Sequence, residues 1–368
     1  IFDYNKDGFQ DIYISNDKLS TINRLYQNNG DGTFADTSVA SGAGITANAM
    51  STTIGDYNSD GFFDIYVSNT SEGNYLLKNN GDGTFTNKAS ETGTEFFSLA
   101  WGSVFLDADN DSNLDIYVSG ALDGSVSGLL SSAFYHNDGN QNYSIPNNIG
   151  FSGDTGMSYS NAIGDIDNDG KPDIVVMNNL SNYFLWQNQT TNSNNWVKIK
   201  LEGVTSNKAG IGNRIEISAN GQSQYRYTLC GEGYLGQNSN YEFVGLSDAT
   251  NIDYIKVTWN KTGITETINN VQPNQAITIQ EGNGILDATS NELIYFNVYP
   301  NPSKNGIFNF ISGDASDYFI EVFDISGRMV ISKTQIENTI NLSSLSKGIY
   351  LAKVNSDGKT KTIKLIKG

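Results

Sequence analysis

Two residue types are almost missing. The 368-residue chain has one cysteine, Cys230, and one histidine, His136. A single thiol excludes an internal disulfide, and so little His and Cys leaves no material for a zinc centre or a Ser-His-Asp triad. Cys230, preceded by Thr228 and Leu229, reads as a small buried hydrophobe. His136, followed by Asn137, Asp138 and Gly139, reads as a surface or turn residue. No apolar run approaches the length of a membrane span. No signal peptide is visible, and the sequence enters a loop motif at Asp3, so it reads as a piece that lacks earlier repeats. Basic residues are scarce in one half only. Residues 1–195 carry 6 basic and 24 acidic residues, net −18, whereas residues 196–284 carry 7 and 8 and residues 285–368 carry 9 and 8. The acidic half repels phosphate, which argues against a nucleic-acid partner.

The acids are not scattered. Fourteen of the 24 lie in four nine-residue loops that start at residues 3, 56, 107 and 165. Each loop places oxygen side chains at positions 1, 3, 5 and 9. These are Asp3, Asn5, Asp7 and Asp11; Asp56, Asn58, Asp60 and Asp64; Asp107, Asp109, Asp111 and Asp115; and Asp165, Asp167, Asp169 and Asp173. Hard cations such as calcium take six to eight oxygen ligands, and such loops supply most of them, with a position-7 carbonyl (Phe9, Phe62, Asn113, Lys171) as a further donor. Glycine stands at position 6 except in the third loop, where Ser112 predicts the most strained and weakest site. An EF-hand would need Glu at position 12; here that position is Ile14, Val67, Val118 and Val176,. β-Branched, aromatic runs follow each loop, so position 9 opens a strand rather than a helix. The expectation is about four structural calcium ions on these sixteen residues. Clustered carboxylates repel without them, so metal should stabilise the fold by linkage.

The intervals between loops are 53, 51 and 58 residues, a period that signals a repeat architecture. Strands run into the loops at residues 50–55, 100–106 and 160–164, and Arg24–Phe34 and Tyr75–Phe85 each contain an Asn-Gly-Asp-Gly hairpin turn. Asp31 and Asp82 read as turn residues. Four strands per repeat without helical periodicity point to propeller blades. The loops and hairpins resemble the FG-GAP/VCBS family, the blade type of the integrin α-subunit propeller. That family commonly closes rings of about seven blades, so the resemblance implies a partial, N-terminally truncated propeller over residues 1–195.

Residues 196–281 are strand-rich and lack metal loops. Trp196–Leu201, Arg214–Ser218 and Tyr254–Trp259 alternate as half-buried strands. Residues 206–214, 231–239 and 274–279 resemble the ASPIC/UnbV domain that follows such propellers in the cartilage-acidic-protein-like family. Asn213 and Trp259-Asn260-Lys261 depart from its usual residues. Glu232, between two glycines, is the carboxylate to watch there. Residues 281–292 read as a linker. Residues 293–368 carry short alternating strands and suggest a small β-sandwich of Ig-like type. The order of Tyr299-Pro300-Asn301-Pro302, Gly327-Arg328, Gly348-Ile349-Tyr350 and the final Lys364–Gly368 closely resembles the type A C-terminal sorting domain of the Bacteroidetes type IX secretion system. That resemblance implies type IX machinery as a partner and a secreted or outer-membrane-surface protein of a Bacteroidetes-type bacterium.

The whole is expected to be an all-β, calcium-binding adhesion or ligand-binding scaffold for a glycan or protein, not an enzyme. The alternative is a polysaccharide-active hydrolase or lyase. It would need a carboxylate pair outside the metal loops lining one pocket, with Trp101, Tyr159 and Trp186 available to stack on sugars. The sequence identifies no such pair.

Overall fold

The computed structural model describes residues 1–147, 149–290, 296–312, 319–334, 339–356 and 359–368. The chain divides into two compact units, Ile1–Asn291 and Glu292–Gly368. Apart from a one-turn helix, Ala89–Thr92, and a 3₁₀ turn, Phe151–Gly153, all the named elements are strands.

The first half of the larger unit is four antiparallel sheets in sequence order. Blade 1 is Ile12–Ile14, Arg24–Asn28 and Phe34–Asp36. Blade 2 is Thr52–Gly55, Asp64–Val67, Tyr75–Asn79 and Phe85–Asn87. Blade 3 is Ala100–Leu106, Asp115–Gly120, Ser132–Asn137 and Tyr143–Ser144. Blade 4 is Ser158–Gly164, Asp173–Asn178 and Phe184–Trp186. The expected four strands are therefore complete in blades 2 and 3. Among the described residues the first strand of blade 1 is reduced to the single bridge Phe2–Asp11, and blade 4 has no fourth strand.

Successive blades pack face to face because the second strand alternates. Ile65 and Val67 turn toward blade 1, with Leu25 and Phe85, while Tyr66 turns toward blade 3, with Ile116 and Val118. The tyrosine is amphipathic, and its hydroxyl finds a partner in the connection that leads to the next blade. Tyr13 donates to the Ala43 carbonyl at 3.1 Å, Tyr66 to the Thr94 carbonyl at 2.7 Å and Tyr117 to Asp154 Oδ2 at 2.5 Å. Blade 4 has Val175 at that place, and it is 46% exposed.

Residues 195–290 form two four-stranded sheets. One is ordered Glu242–Ser247, Asn195–Glu202, Gln275–Gln280, Gly284–Ser290, with the middle two parallel. The other is ordered Gln222–Tyr227, Arg214–Ala219, Tyr254–Trp259, Ile264–Ile268. Their facing sides enclose an aliphatic core that includes Val197, Ile199, Ile215, Ile217, Ile255, Val257, Ile277 and the fully buried Trp259.

Two expectations fail here. Residues 281–292 are not simply a linker: Gly284–Ser290 is a strand paired with Gln275–Gln280. The polar run Glu281-Gly282-Asn283 is a tight turn, closed by the Asn283 N–H on the Gln280 carbonyl, and Ile285 then packs on the core. Cys230 is exposed rather than buried, because it follows the end of strand Gln222–Tyr227 and leads into a glycine-rich loop. The expected linker end at 291–292 and domain start at 293 lie outside the described residues.

The smaller unit is a two-sheet sandwich. One sheet is Phe296–Tyr299, Ile307–Ser312 and Thr339–Asn341. The other is Met329–Thr334, Phe319–Asp324, Gly348–Ser356 and Lys359–Lys367. Phe308, Phe310, Ile320, Val322, Ile340, Tyr350 and Leu365 fill the space between them.

Candidate functional site

All four loops fold by one hydrogen-bond pattern. The position-1 carboxylate accepts the position-5 N–H on Oδ1, from Asp7, Asp60, Asp111 and Asp169 at 3.0–3.1 Å. Its Oδ2 accepts the position-6 N–H, from Gly8, Gly61, Ser112 and Gly170 at 2.8–3.0 Å. The position-5 carboxylate accepts the position-7 N–H at 2.8–2.9 Å. The position-9 carboxylate accepts the position-2 N–H on Oδ2, from Tyr4, Tyr57, Ala108 and Ile166 at 2.7–3.2 Å. Each loop bends by left-handed residues at positions 4 and 6. Position 4 is Lys6, Ser59, Asn110 and Asn168, at φ 56–62°. Ser112 takes position 6 of the third loop at φ 83°, a conformation strained for a residue with a Cβ,. Its hydroxyl donates to the Gly245 carbonyl at 3.1 Å, which holds the turn.

The last contact of each loop comes from further along the chain. The asparagines Asn28, Asn79, Asn137 and Asn188, at or just past the ends of the third strands, donate their backbone N–H to Oδ1 of Asp11, Asp64, Asp115 and Asp173 at 2.7–2.8 Å. Their side chains then reach outward. Asn79 Nδ2 donates to the Tyr4 carbonyl, Asn137 Nδ2 to the Tyr57 carbonyl and Asn188 Nδ2 to the Ala108 carbonyl. Position 2 of each earlier loop is thereby tied to the next blade. In the sequence the only signal of this role is an Asn recurring some 15 to 22 residues after each position-9 Asp, which resembles ordinary turn chemistry. Asp31 and Asp82 are turn residues, each accepting the N–H and hydroxyl of a threonine two residues on.

Several loop carboxylates are buried among their own kind. Burial pushes Asp11 to about 6, Asp56 to about 7 and Asp115 to about 6. Asp64 and Asp107 are raised well above the usual carboxylate range, first by burial and then by neighbouring loop acids. Oxygens of Asp165, Asp167 and Asp173 lie within 4.8 Å of one another, as do ligand atoms of Asp109, Asp111 and His136. His136 is not a turn residue. It sits on strand Ser132–Asn137 with Nδ1 3.1 Å from Asp115 Oδ1, and that hydrogen bond raises the imidazole to about 9. The converging oxygens of loop 4 fit a hard cation, while among the described residues no group of three acids or histidines draws together in this way at loops 1 and 2.

The region 195–290 closes over the loops. At loop 4 the Lys198 ammonium lies 2.6 Å from Asp165 Oδ2, with both side chains buried. A Cβ on Gly170 would sit 1.9 Å from the Trp196 ring, so only glycine fits there. At loop 3 a Cβ on Gly245 would meet Asp107 Oδ2 at 2.1 Å. The glycine-rich loop after Gly231 packs on the first strands of blades 3 and 4, where Tyr234 is edge-on to Trp101, itself edge-on to Tyr159. These aromatics are thus packed on each other and are not a free stacking platform. Glu232 and Glu242 line one cavity of about 60 Å³ with Arg226 and Asp107. Burial pushes Glu232 to about 7 and Glu242 to about 8, the latter also raised by Glu232. Tertiary packing thus creates a carboxylate pair outside the four acidic loops that is not visible along the chain.

Comparison with known proteins agrees with this layout. An FG-GAP-like repeat profile matches residues 3–67, 56–118 and 127–176. An ASPIC and UnbV profile matches residues 203–286. A secretion system C-terminal sorting domain profile matches residues 297–368. The chain therefore carries FG-GAP-like repeats, an ASPIC/UnbV domain and a sorting domain, and the sorting domain directs it through type IX secretion to the cell surface or extracellular space. No helix among the described residues is long and apolar enough to cross a membrane. No curated protein matches the chain. Among solved structures, PorZ of Porphyromonas gingivalis, described as an essential bacterial surface component of the type IX secretion system, aligns at 11% identity and TM-score 0.27. The alignment covers 98% of this chain and 58% of PorZ. The FN1–FN3 domains of chicken CNTN1 align at 10% identity and TM-score 0.15, covering 73% of this chain and 98% of that one.

Proposed function

We propose that this exported β-rich protein is a calcium-stabilised scaffold for adhesion or ligand binding, with a glycan or protein as its ligand. One observation carries the metal part. Four loops separated by about fifty residues each hold their carboxylates by the same hydrogen bonds, and buried acids such as Asp64 have like charges as electrostatic neighbours. A divalent cation on positions 1, 3, 5 and 9 relieves that repulsion and locks each loop to its blade. Calcium outside cells is abundant enough to fill sites of modest affinity. The ion would be structural here, about four per chain.

A polysaccharide-active enzyme would rest on Glu232 and Glu242. Their cavity of about 60 Å³ is far below the roughly 300–1,000 Å³ of ligand pockets, which favours the scaffold. The test is thermal unfolding of the chain with calcium and with chelator, followed by a glycan-array screen of the calcium form. A calcium-dependent rise in melting temperature with a glycan hit supports the reading. Calcium-independent unfolding overturns the metal assignment, and turnover of a polysaccharide overturns the non-catalytic one.

A further inference from the structure

Blade 4 is incomplete in one specific way. In blades 1, 2 and 3 the fourth strand begins with an aromatic residue paired across from the hairpin asparagine: Phe34 with Asn28, Phe85 with Asn79, and Tyr143 with Asn137. In two of these the ring then meets the position-2 tyrosine of the preceding blade's loop. Tyr4 and Phe85 have ring centroids 5.9 Å apart, and Tyr57 and Tyr143 6.4 Å. Two aromatic rings therefore fill the space between consecutive blades beside their metal loops.

Between blades 3 and 4 both rings are missing. Position 2 of the third loop is Ala108, and after Asn188 the sequence runs Gln189-Thr190-Thr191 with no hairpin and no aromatic. The chain crosses instead to loop 3, where the Asn192 and Asn194 side-chain amides donate to the Asp109 carbonyl. A cavity of about 600 Å³ remains, walled by Leu106, Ala108, Phe134, Phe151, Ile174 and Trp186 and reaching the 187–191 stretch. Phe151 stacks on Phe134 at 5.6 Å and meets Trp186 edge-on at 5.4 Å, so one wall is a ready aromatic surface. Alongside runs Phe184–Trp186, the edge strand of a three-stranded sheet, with Tyr183 and Leu185 exposed. An open edge offers unpaired N–H and C=O groups to any extended chain.

We propose that blade 4 is completed in trans by an extended peptide strand of another polypeptide. The strand adds to the open edge of Phe184–Trp186 and seats one aromatic side chain opposite Asn188, in the cavity. This is strand addition: main-chain hydrogen bonds supply affinity, and a pocket for one side chain supplies specificity. The molecule's own fourth strands define the partner's chemistry, an aromatic residue flanked by small polar ones, as in Thr84-Phe85-Thr86-Asn87. The proposal rests on the scaffold reading above and names its ligand as a peptide.

The test uses the full chain in calcium and a fluorescent peptide copied from residues 81–89, followed by anisotropy. Saturable binding is expected, weakened at least tenfold when the peptide phenylalanine is replaced by alanine. Ala108→Tyr, which restores the position-2 ring that packs on the fourth-strand aromatic in the other blades, should tighten binding at least tenfold. Absence of saturable binding overturns the proposal, as does equal affinity for the phenylalanine and alanine peptides. Because that pair of peptides leaves the protein untouched, the test remains decisive even if Ala108→Tyr fails to fold. Displacement of the bound peptide by a free monosaccharide assigns the cavity to a sugar and overturns it as well. Melting the same samples with calcium and with chelator separates failure of this site from failure of the calcium-scaffold reading.

Discussion

The repeat loops and Glu281 of the ASPIC/UnbV region are both set in β-sheet, yet they solve the burial of charge in opposite ways. In the repeats, acids are crowded into loops where burial and like charges oppose ionisation. In the other region the core is aliphatic, and the buried carboxylate of Glu281 is fully served by donors. The backbone N–H groups of Val204, Thr205 and Ser206 reach its Oε2 at 2.7–2.8 Å, and the hydroxyls of Ser206 and Thr262 reach Oε1 at 2.9 Å. Burial alone would raise this acid, but those donors hold it at about 2. The loops crowd acids that an external cation would neutralise, whereas Glu281 is met by the protein's own donors. A carboxylate's surroundings, not its presence, decide whether it reads as a metal ligand.

The comparison breaks first on metal. A site filled at a hundredfold excess over its Kd stabilises by about 2.7 kcal/mol, so four sites contribute roughly 10 kcal/mol. Chelation should lower the melting temperature by more than about 15 °C in differential scanning calorimetry. An unchanged melting temperature would remove the distinction between the two regions.

Next is the inter-blade tie. Asn79→Ala strips the buried Tyr4 and Phe63 carbonyls of their amide partner and should cost about 2–3 kcal/mol in urea unfolding. Asn28→Ala loses its amide bond to the Gln10 carbonyl at a partly exposed site and, as Asn79→Ala also does, the bond its Oδ1 accepts from the glycine N–H two residues on, and should cost about 1 kcal/mol. Equal losses would show that the tie to the neighbouring blade carries no weight.

Glu281→Gln should cost about 2 kcal/mol at pH 7, to the same extent with calcium and with chelator. The folded pKa lies below the ordinary value, so the stabilisation is present above about pH 4.5 and is lost as pH falls through about 2,. Acid-unfolding curves of the two proteins should therefore converge near pH 2. A calcium-dependent loss would mean that this region depends on the metal as well.

The smallest effect is a slope. Asp11, Asp56 and Asp115 are raised to about 6–7, so in chelator the folded state binds more protons than the unfolded chain between about pH 4 and 7. Stability in chelator should fall as pH rises through that window, and calcium should flatten the trend. A melting temperature that rises with pH in chelator would contradict the burial of these acids.

Much of this protein is set by short stretches of chain. The nine-residue loops, their left-handed turns and the strands that follow depend on neighbours within eight residues, so Asp3–Asp11 and its three copies could be read directly. The alternation that makes Tyr254–Trp259 a half-buried strand is equally local. Partners distant in sequence are a matter for tertiary structure. Pairing with Gln275–Gln280 turns an apparent linker into the strand Gly284–Ser290. The approach of a neighbouring strand brings His136 to Asp115, 21 residues away, and domain closure brings Lys198 to Asp165 and Trp196 onto Gly170. Glu232 and Glu242 share a cavity because one loop packs against the repeats. Local hydrogen-bonding geometry can be read along the chain, but desolvation depends on what folds over a residue, and only the assembled sheets determine that.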